Sequence, residues 1–513
     1  MPTQLTIASG IREFAISNPR RIAVIDGDRS ITFAELDDRS SRFANILLRE
    51  GFGVGDRVAI LSWNRLEYIE LCAGAAKAGV TLVPLNPRGS AMEHEALIRR
   101  SGTRGLVFDE NLAGNVPRSA DGLPLLLCLG EADVGLPYEA AIAGSEATDP
   151  MVEYSEDLPY CIQYTSGTTG QPKGAMLSHR ARALTLIHCG VDFSLGPGKR
   201  TVAVAPMALG AGFSFGYAGP YLGGTTSMMR SWDPEALLAT IERDRIHSVF
   251  LVPTHAVGLQ RVMEGASREY DLSSLETLYF NAAALPVPLK EWVISAFPGV
   301  GIHELYGSTE GGIVTSLRPD EALRKAGSVG HPWFLTEVRL LDDDGNEVGT
   351  GERGELFSRS PYCMSGYLDD PESTADTIRP DGFLTAGDVA VKDEEGFIRI
   401  VDRKKDMIVS GAANIYPREI ENVLYQLEEI SEVAVVGLPD PTWGEQVAAF
   451  VVARPGASID VGRLEAHLRG QLAGFKTPKV WEVIDEMPRN ATGKIIKWAL
   501  RDDYVSSHSE VGE

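Results

Sequence analysis

The stretch Tyr164-Thr165-Ser166-Gly167-Thr168-Thr169-Gly170-Gln171-Pro172-Lys173-Gly174 is the most informative in this 513-residue chain. Gly167 and Gly170 let backbone N–H groups approach a ligand closely. Thr165, Ser166, Thr168 and Thr169 add hydroxyls, and Lys173 adds positive charge. That is the chemistry of a phosphate cradle. It is not a Walker A loop, because GxxxxGK[ST] occurs nowhere in the chain. On composition alone a flexible surface loop fits the same residues, since Ser/Thr/Gly runs are common linkers.

Further segments follow in order: Tyr306-Gly307-Ser308-Thr309-Glu310, Gly354-Glu355-Leu356 with Met364-Ser365-Gly366-Tyr367, Thr385-Ala386-Gly387-Asp388, Val401-Asp402-Arg403-Lys404-Lys405-Asp406 with 410–421, and Pro488-Arg489-Asn490-Ala491-Thr492-Gly493-Lys494. With the loop at 164–174 they resemble the ordered motifs of the adenylate-forming (ANL) superfamily, and within it the acyl-CoA synthetases, or carboxylate–CoA ligases. The resemblance spans about residues 10 to 500, nearly the whole chain.

The resemblance implies a reaction in which a carboxylate attacks the α-phosphate of ATP. Two anions must meet, so cationic and hydrogen-bonding groups have to stabilise the charge that shifts in the transition state. It implies that Thr165, Ser166, Gly167, Thr168, Thr169, Gly170 and Lys173 hold the triphosphate and that Glu310 coordinates Mg²⁺, a hard cation that takes carboxylate oxygens. Thr309 is expected on the α-phosphate, Tyr306 under adenine with Gly307 and Ala283 beside it, and Asp388 and Arg403 on the ribose. Lys494 is expected to bridge the carboxylate and the α-phosphate. Lys405 matches the hinge about which a small C-terminal domain swings between two half-reactions, removing Lys494 and opening a channel for the acceptor. Ser410, Gly411 and Ala412 are expected to line that channel. The family usually has Gly-Gly after this Ser, so Ala412 departs from its pattern. Lys476, in Phe475-Lys476-Thr477-Pro478, resembles a segment common in CoA-using members. The cofactor set implied is ATP, Mg²⁺ and CoA. An amine acceptor, as in amide-forming relatives, stays open, as does a homodimer.

The acyl pocket is expected along 206–217, 252–257, 281–285 and 306–314, with Leu209, Gly210, Phe213, His255, Asn281, Ala282 and Gly312 on its walls. Between Val202 and Met229 there is no Asp, Glu, Lys or Arg, so nothing there would bind an α-amino group, and amino acids are disfavoured. Small residues leave volume for a bulky apolar acid, aromatic or medium-to-long chain. They serve equally well for close packing of strands and helices. Leu209 stands where many relatives have His, and His255 where Met is common. His255 fits either a pocket wall or a core histidine with a backbone partner.

A reading from another class starts from Gly212-Phe213-Ser214-Phe215-Gly216, which fits the GxSxG of serine hydrolases. That elbow needs a strand before it and a helix after it. Residues 206–211 read as a poor strand and 216–224 as a poor helix, so Ser214 is a remote candidate.

The elements that must position these groups read as alternating strands and helices. Ile22–Asp26, Gly27-Asp28 and the residues after Arg29 form a hairpin, and Thr32 with Glu35 forms a capping box that starts a helix. The rhythm continues as α/β layers with parallel sheets to about residue 300. Turn-rich residues 337–400 read as a β-rich subdomain, and an α+β pattern begins near Ile415: helix 417–427, strands 433–436 and 447–452, helix 461–472 and strand 480–484. The expected organisation is a large N-terminal domain 1–402, a hinge 403–406 and a small mobile C-terminal domain 407–513, with 506–513 as a frayed tail.

Composition excludes much else. The formal charge of −23 disfavours nucleic acid and anionic lipid. The five cysteines have no CxxC spacing, so neither a zinc site nor a disulfide framework is indicated, and a reducing cytoplasmic compartment fits. No signal peptide is read, and no apolar run reaches the roughly 20 residues of a membrane span. The Asn490-Ala491-Thr492 sequon carries little weight without a signal peptide.

Overall fold

Thr32 caps the helix Phe33–Arg49 as its spacing from Glu35 predicts. Its Oγ1 accepts the Glu35 N–H at 3.3 Å, and the Glu35 carboxylate accepts the Thr32 N–H at 2.7 Å. Just upstream, Ile22–Asp26 and Arg29–Thr32 pair antiparallel across the two-residue turn Gly27-Asp28, where Gly27 takes φ +62°. The computed structural model describes residues 4–131, 133–165, 172–265, 268–410, 413–440, 442–489 and 495–509.

The chain divides into two compact units, residues 1–338 with 358–384, and residues 339–357 with 385–513. Residues 403–406 therefore lie inside the second unit.

The first unit contains two large sheets. One has nine strands, in the order His331–Pro332, Gly312–Leu317, Gly301–Ser308, Thr277–Phe280, Ser248–Leu251, Arg200–Ala203, Thr225–Met228, Ile22–Asp26 and Arg29–Thr32. Its central strands are parallel. The other has eight strands, in the order Gly366–Tyr367, Lys173–Ser178, Pro159–Thr165, Thr81–Leu85, Arg57–Leu61, Gly105–Asp109, Leu125–Leu129 and Leu136–Pro137. Helix Leu66–Ala78 touches strands of both sheets and is buried on every side, which explains an apolar run without amphipathic rhythm.

Helix Gly210–Tyr221 corrects the expectation of poor helix after Gly216. Its buried residues run from Gly212 through Tyr221, so packing rather than propensity holds it. The glycines are what let it pack. A Cβ on Gly212 would lie 2.0 Å from the Pro206 carbonyl oxygen, and one on Gly219 would lie 2.3 Å from Thr226 Oγ1.

The second unit carries most of a four-stranded sheet (Glu337–Leu341, Arg353–Arg359, Leu384–Lys392, Ile398–Arg403) and a five-stranded sheet led by the long hairpin Ile430–Asp440 and Gly444–Ala453. In the latter, alternation sorts the two faces. Val433 and Val435 meet the helices Pro417–Leu424 and Val461–Arg469, whereas Ala434 and Val436 join Phe450 and Leu500 of helix Lys497–Ser509. That last helix corrects the expected fraying of 506–509: His508 stacks on Tyr504 at 3.9 Å, and Ser507 Oγ bonds the Asp503 carbonyl at 2.8 Å. Residues 510–513 lie outside the described residues. The five cysteines are free. Among the described residues no helix is long and apolar enough to cross a membrane.

Candidate active site

Four neighbouring parallel strands, Arg200–Ala203, Ser248–Leu251, Thr277–Phe280 and Gly301–Ser308, send their C-terminal ends to one edge of the nine-stranded sheet. Ligands of open α/β sheets bind at such an edge. The segments that leave it are those the sequence singled out: 204–209, the start of helix Pro253–Gly265, 281–284 and 309–311.

Thr309, Glu310 and Gly311 form the tip of a hairpin, because Ser308 pairs with Gly312 across it. Ser308 Oγ accepts the Gly311 N–H at 2.8 Å. Gly307 is required there, since a Cβ would lie 2.0 Å from the Gly312 carbonyl oxygen. Gly312 has φ +69° and presses on Tyr362.

Glu310 is held from two directions. The Tyr367 hydroxyl donates to its Oε1 at 2.9 Å, and the Met364 N–H donates to its carbonyl at 2.7 Å. Burial and the Glu310 charge both push the Tyr367 hydroxyl pKa upward, so it stays a donor. Tyr367 pairs with Ala175 on strand Lys173–Ser178, and Lys173 Nζ lies 5.3 Å from its ring centroid. The tyrosine thus gathers the cation and the carboxylate that the sequence could place only in separate motifs. Thr165 and Lys173 face each other as cross-strand partners. Ser166, Gly167, Thr168, Thr169 and Gly170 lie outside the described residues.

A buried ion pair anchors the neighbouring loop. Lys290, fully buried on helix Val287–Ala296, pairs with Glu304 on strand Gly301–Ser308, and Glu304 Oε2 accepts the Leu285 N–H at 3.2 Å. Glu304 lies two residues before Tyr306. The pair therefore ties the loop holding Asn281, Ala282 and Ala283 to the strand that ends in Tyr306, Gly307 and Thr309. Ala282 adopts φ +74°, and its N–H is accepted by Asn281 Oδ1 at 2.5 Å. Sequence reasoning missed Lys290 and Glu304: neither stands in a motif, and a lysine on a helix reads as solvated. Tyr367 stood in a quoted motif but had no role.

The expected pocket residues divide. A Cβ on Gly210 would meet nothing within 4 Å, so that position faces open space. Leu209 is half-buried. Phe213 is buried, its ring 5.1 Å from that of Tyr160 and 4.9 Å from that of Tyr217. His255 stacks on Trp232 at 4.1 Å, and its Nδ1 accepts the Val252 N–H at 3.3 Å. Burial pushes its pKa down to about 4, so it is neutral at pH 7. Ser214 sits inside a helix, buried, and bonds the Gly210 carbonyl at 2.9 Å, with no strand-to-helix elbow. The hydrolase reading fails on that geometry.

In the second unit Asp388 and Arg403 are cross-strand partners, with Arg403 Nε 3.3 Å from Asp388 Oδ1. Asp402 is buried and accepts the N–H groups of Arg403 and Arg418 at 2.7 and 2.8 Å. Burial raises its pKa above the usual aspartate value. Lys405 is exposed in the single turn Lys404–Asp406, and Ser410 ends strand Ile408–Ser410. Lys476 pairs with Glu419 at 2.5 Å. Gly411, Ala412, Asn490 and Lys494 lie outside the described residues.

A cavity of about 520 Å³ in the first unit holds none of the expected residues. Its charges satisfy one another, Arg29 and Arg65 on Glu67 and Arg39 on Glu139. No cluster of three or more His, Cys, Asp or Glu among the described residues could cage a metal ion. A lone carboxylate such as Glu310 fits a cation that arrives with phosphates, which is how Mg²⁺ is commonly bound.

Comparison with known proteins agrees with this geometry. Residues 11–368 match the AMP-binding enzyme family, and residues 419–494 match the AMP-binding enzyme C-terminal domain. Feruloyl-CoA synthase from an Amycolatopsis species is 37% identical over 487 residues, 94% of this chain and 96% of that protein. Among solved structures, ATP-bound MatB from Rhodopseudomonas palustris is 28% identical with a TM-score of 0.89, covering 98% of this chain and 99% of that one. The amide bond synthetase McbA from Marinactinospora thermotolerans is 28% identical with a TM-score of 0.88, covering 97% of this chain and 100% of that one.

Proposed function

Since this chain belongs to the AMP-binding enzyme family, we propose that it is an ATP-dependent acid–CoA ligase that works through an acyl-adenylate. The observation that carries the reading is the tyrosine, Tyr367, that holds Glu310 and lies beside Lys173.

In the first half-reaction a carboxylate oxygen of the acid attacks the α-phosphorus of ATP, the bond to the β-phosphate oxygen breaks, and pyrophosphate leaves. Lys173 and the hydroxyls and N–H groups of the loop from Thr165 to Gly170 bind the triphosphate. Glu310 would hold Mg²⁺, which when bound neutralises phosphate charge. Thr309 donates to the α-phosphate, Tyr306 stacks on adenine beside Gly307 and Ala283, and Asp388 and Arg403 take the ribose. Lys494 stabilises the meeting of carboxylate and phosphate. In the second half-reaction the CoA thiol loses its proton and attacks the acyl carbonyl, and AMP leaves with the electrons of the acyl–phosphate bond. Ser410, Gly411, Ala412 and Lys476 line the thiol's approach. Residues 403–406, with Lys405, act as the hinge for 407–513.

The acid is bulky and largely apolar, supported by the open space at Gly210 and by a neutral His255. The five free cysteines suit a reducing cytoplasm. The likeness to an amide bond synthetase keeps one second reading: an amine takes the acyl group in place of CoA. Acid-dependent exchange of labelled pyrophosphate into ATP tests the first half-reaction, and its absence over a broad acid panel refutes the proposal. AMP release on adding CoA, compared with a set of amines, separates the two acceptors.

A further inference from the structure

The buried cations of the first unit have carboxylate partners, with one exception. Lys77 pairs with Asp37 at 2.6 Å, Arg65 with Glu67 at 2.7 Å and Asp109 at 3.2 Å, and Lys290 with Glu304. Arg182, on helix His179–Asp192 and 7% exposed, has none among the described residues. Its one hydrogen bond runs from a terminal nitrogen to Ser214 Oγ at 2.6 Å, and its guanidinium carbon lies 5.7 Å from the Tyr160 ring centroid. Its Nε is buried with no acceptor. A chain with 71 acidic residues has carboxylates to spare, yet none is placed here. An isolated buried charge is costly unless something pairs with it.

Open space lies one helical turn from the Arg182–Ser214 bond. Ser214 Oγ, the atom that receives the Arg182 bond, donates to the Gly210 carbonyl at 2.9 Å, so Ser214 and Gly210 share one face of the helix Gly210–Tyr221. Gly210 is the glycine whose missing side chain would meet nothing within 4 Å, in contrast to Gly212 and Gly219 on the same helix. A guanidinium carries five N–H donors in a planar fork that matches a carboxylate, and among the described residues one of them has an acceptor.

We propose that Arg182 is the counter-ion of a second anionic group on the acid, so that the substrate is a bulky, mostly apolar acid with a further carboxylate remote from the reacting one. This rests on the acid–CoA ligase reading and narrows it. The alternative is a core arginine satisfied by Ser214 and Tyr160 alone.

The test compares aromatic and long-chain dicarboxylic acids with their half-amides, which keep shape and lose the distal charge. Acid-dependent pyrophosphate release is read for the wild type, Arg182→Lys and Arg182→Gln. A site built around a charged hydrogen bond rejects the analogue that lacks its partner strongly. The wild type is expected to favour at least one diacid over its half-amide by about a hundredfold or more in kcat/KM. That ratio is expected to collapse toward one in Arg182→Gln and to be partly rescued in Arg182→Lys. Thermal stabilisation of the wild type by the diacid, and not by its half-amide, gives the same answer even where Arg182→Gln fails to fold. Brisk turnover of half-amides or monoacids at a ratio near one overturns the proposal and leaves the ligase reading standing. No pyrophosphate from any acid removes both.

Discussion

In the first unit Glu310 sits on a hairpin tip with its carboxylate held by a buried tyrosine, and its neighbouring loop is tied down by Lys290 and Glu304, which are screened from water. In the second unit the charges keep more open company. Lys404 pairs with Asp343 and Glu355 at 2.8 and 3.0 Å while its own side chain is 47% exposed. The physical consequence differs. A buried pair is costly to break because one charge is left stranded in low dielectric. An exposed pair exchanges for water with little loss. The buried pair of the first unit holds a geometry, whereas the exposed pairs around Lys404 can trade partners, which fits the proposed role of the second unit as a moving carrier of Lys494.

The comparison can be broken at its largest expected effect. Lys494→Ala should lower the adenylation rate by about 10²–10³-fold, while thiolysis of supplied acyl-AMP largely survives. Equal loss in both half-reactions would deny the second unit its alternating role. Lys290→Met should destabilise the protein by about 3–5 kcal/mol in urea unfolding, since it strands Glu304. A loss under 1 kcal/mol would mean the loop is held by something else.

Acidification sharpens the contrast further. His179, wholly buried beside the Tyr154 and Tyr160 rings, has its pKa pushed down to about 3 by burial. The unfolded chain then binds the extra proton first, so stability is complete above about pH 6.5 and falls as pH drops towards 3. The loss should reach about 2 kcal/mol at pH 5, read by denaturant unfolding at pH 7 and 5. His179→Gln should flatten that dependence. Next, Tyr367→Phe removes one hydrogen bond to a charged carboxylate and should lower kcat/KM for ATP about tenfold, with the melting temperature little changed. An unchanged ATP dependence would detach Tyr367 from the nucleotide site. Smallest of all, Lys404→Ala should cost less than about 1 kcal/mol of stability. A larger loss would place the second unit's surface pairs in the same class as the first unit's buried ones.

Much of this architecture was legible beforehand where the signal is local. Capping at Thr32, the turn at Gly27 and the strands 433–436 and 447–452 all follow from patterns within a few residues. Helix Gly210–Tyr221 escaped because its support comes from Pro206 and Thr226, which the local pattern around Gly216 does not reveal. The extent of the terminal helix was missed although its support is local, the stacking of His508 on Tyr504 one turn away.

By itself the sequence determined the family, the order of its motifs and the residue types that the chemistry needs, because those depend on side-chain chemistry at fixed spacing along the chain. Only the tertiary structure decided which groups meet: Tyr367 beside both Glu310 and Lys173, Lys290 beneath the loop at Ala282, and Arg182 buried without a carboxylate among the described residues. Burial and pairing between residues far apart in the chain arise only when strands and helices pack, and it is packing that turns a charge into an anchor or leaves it waiting for a ligand.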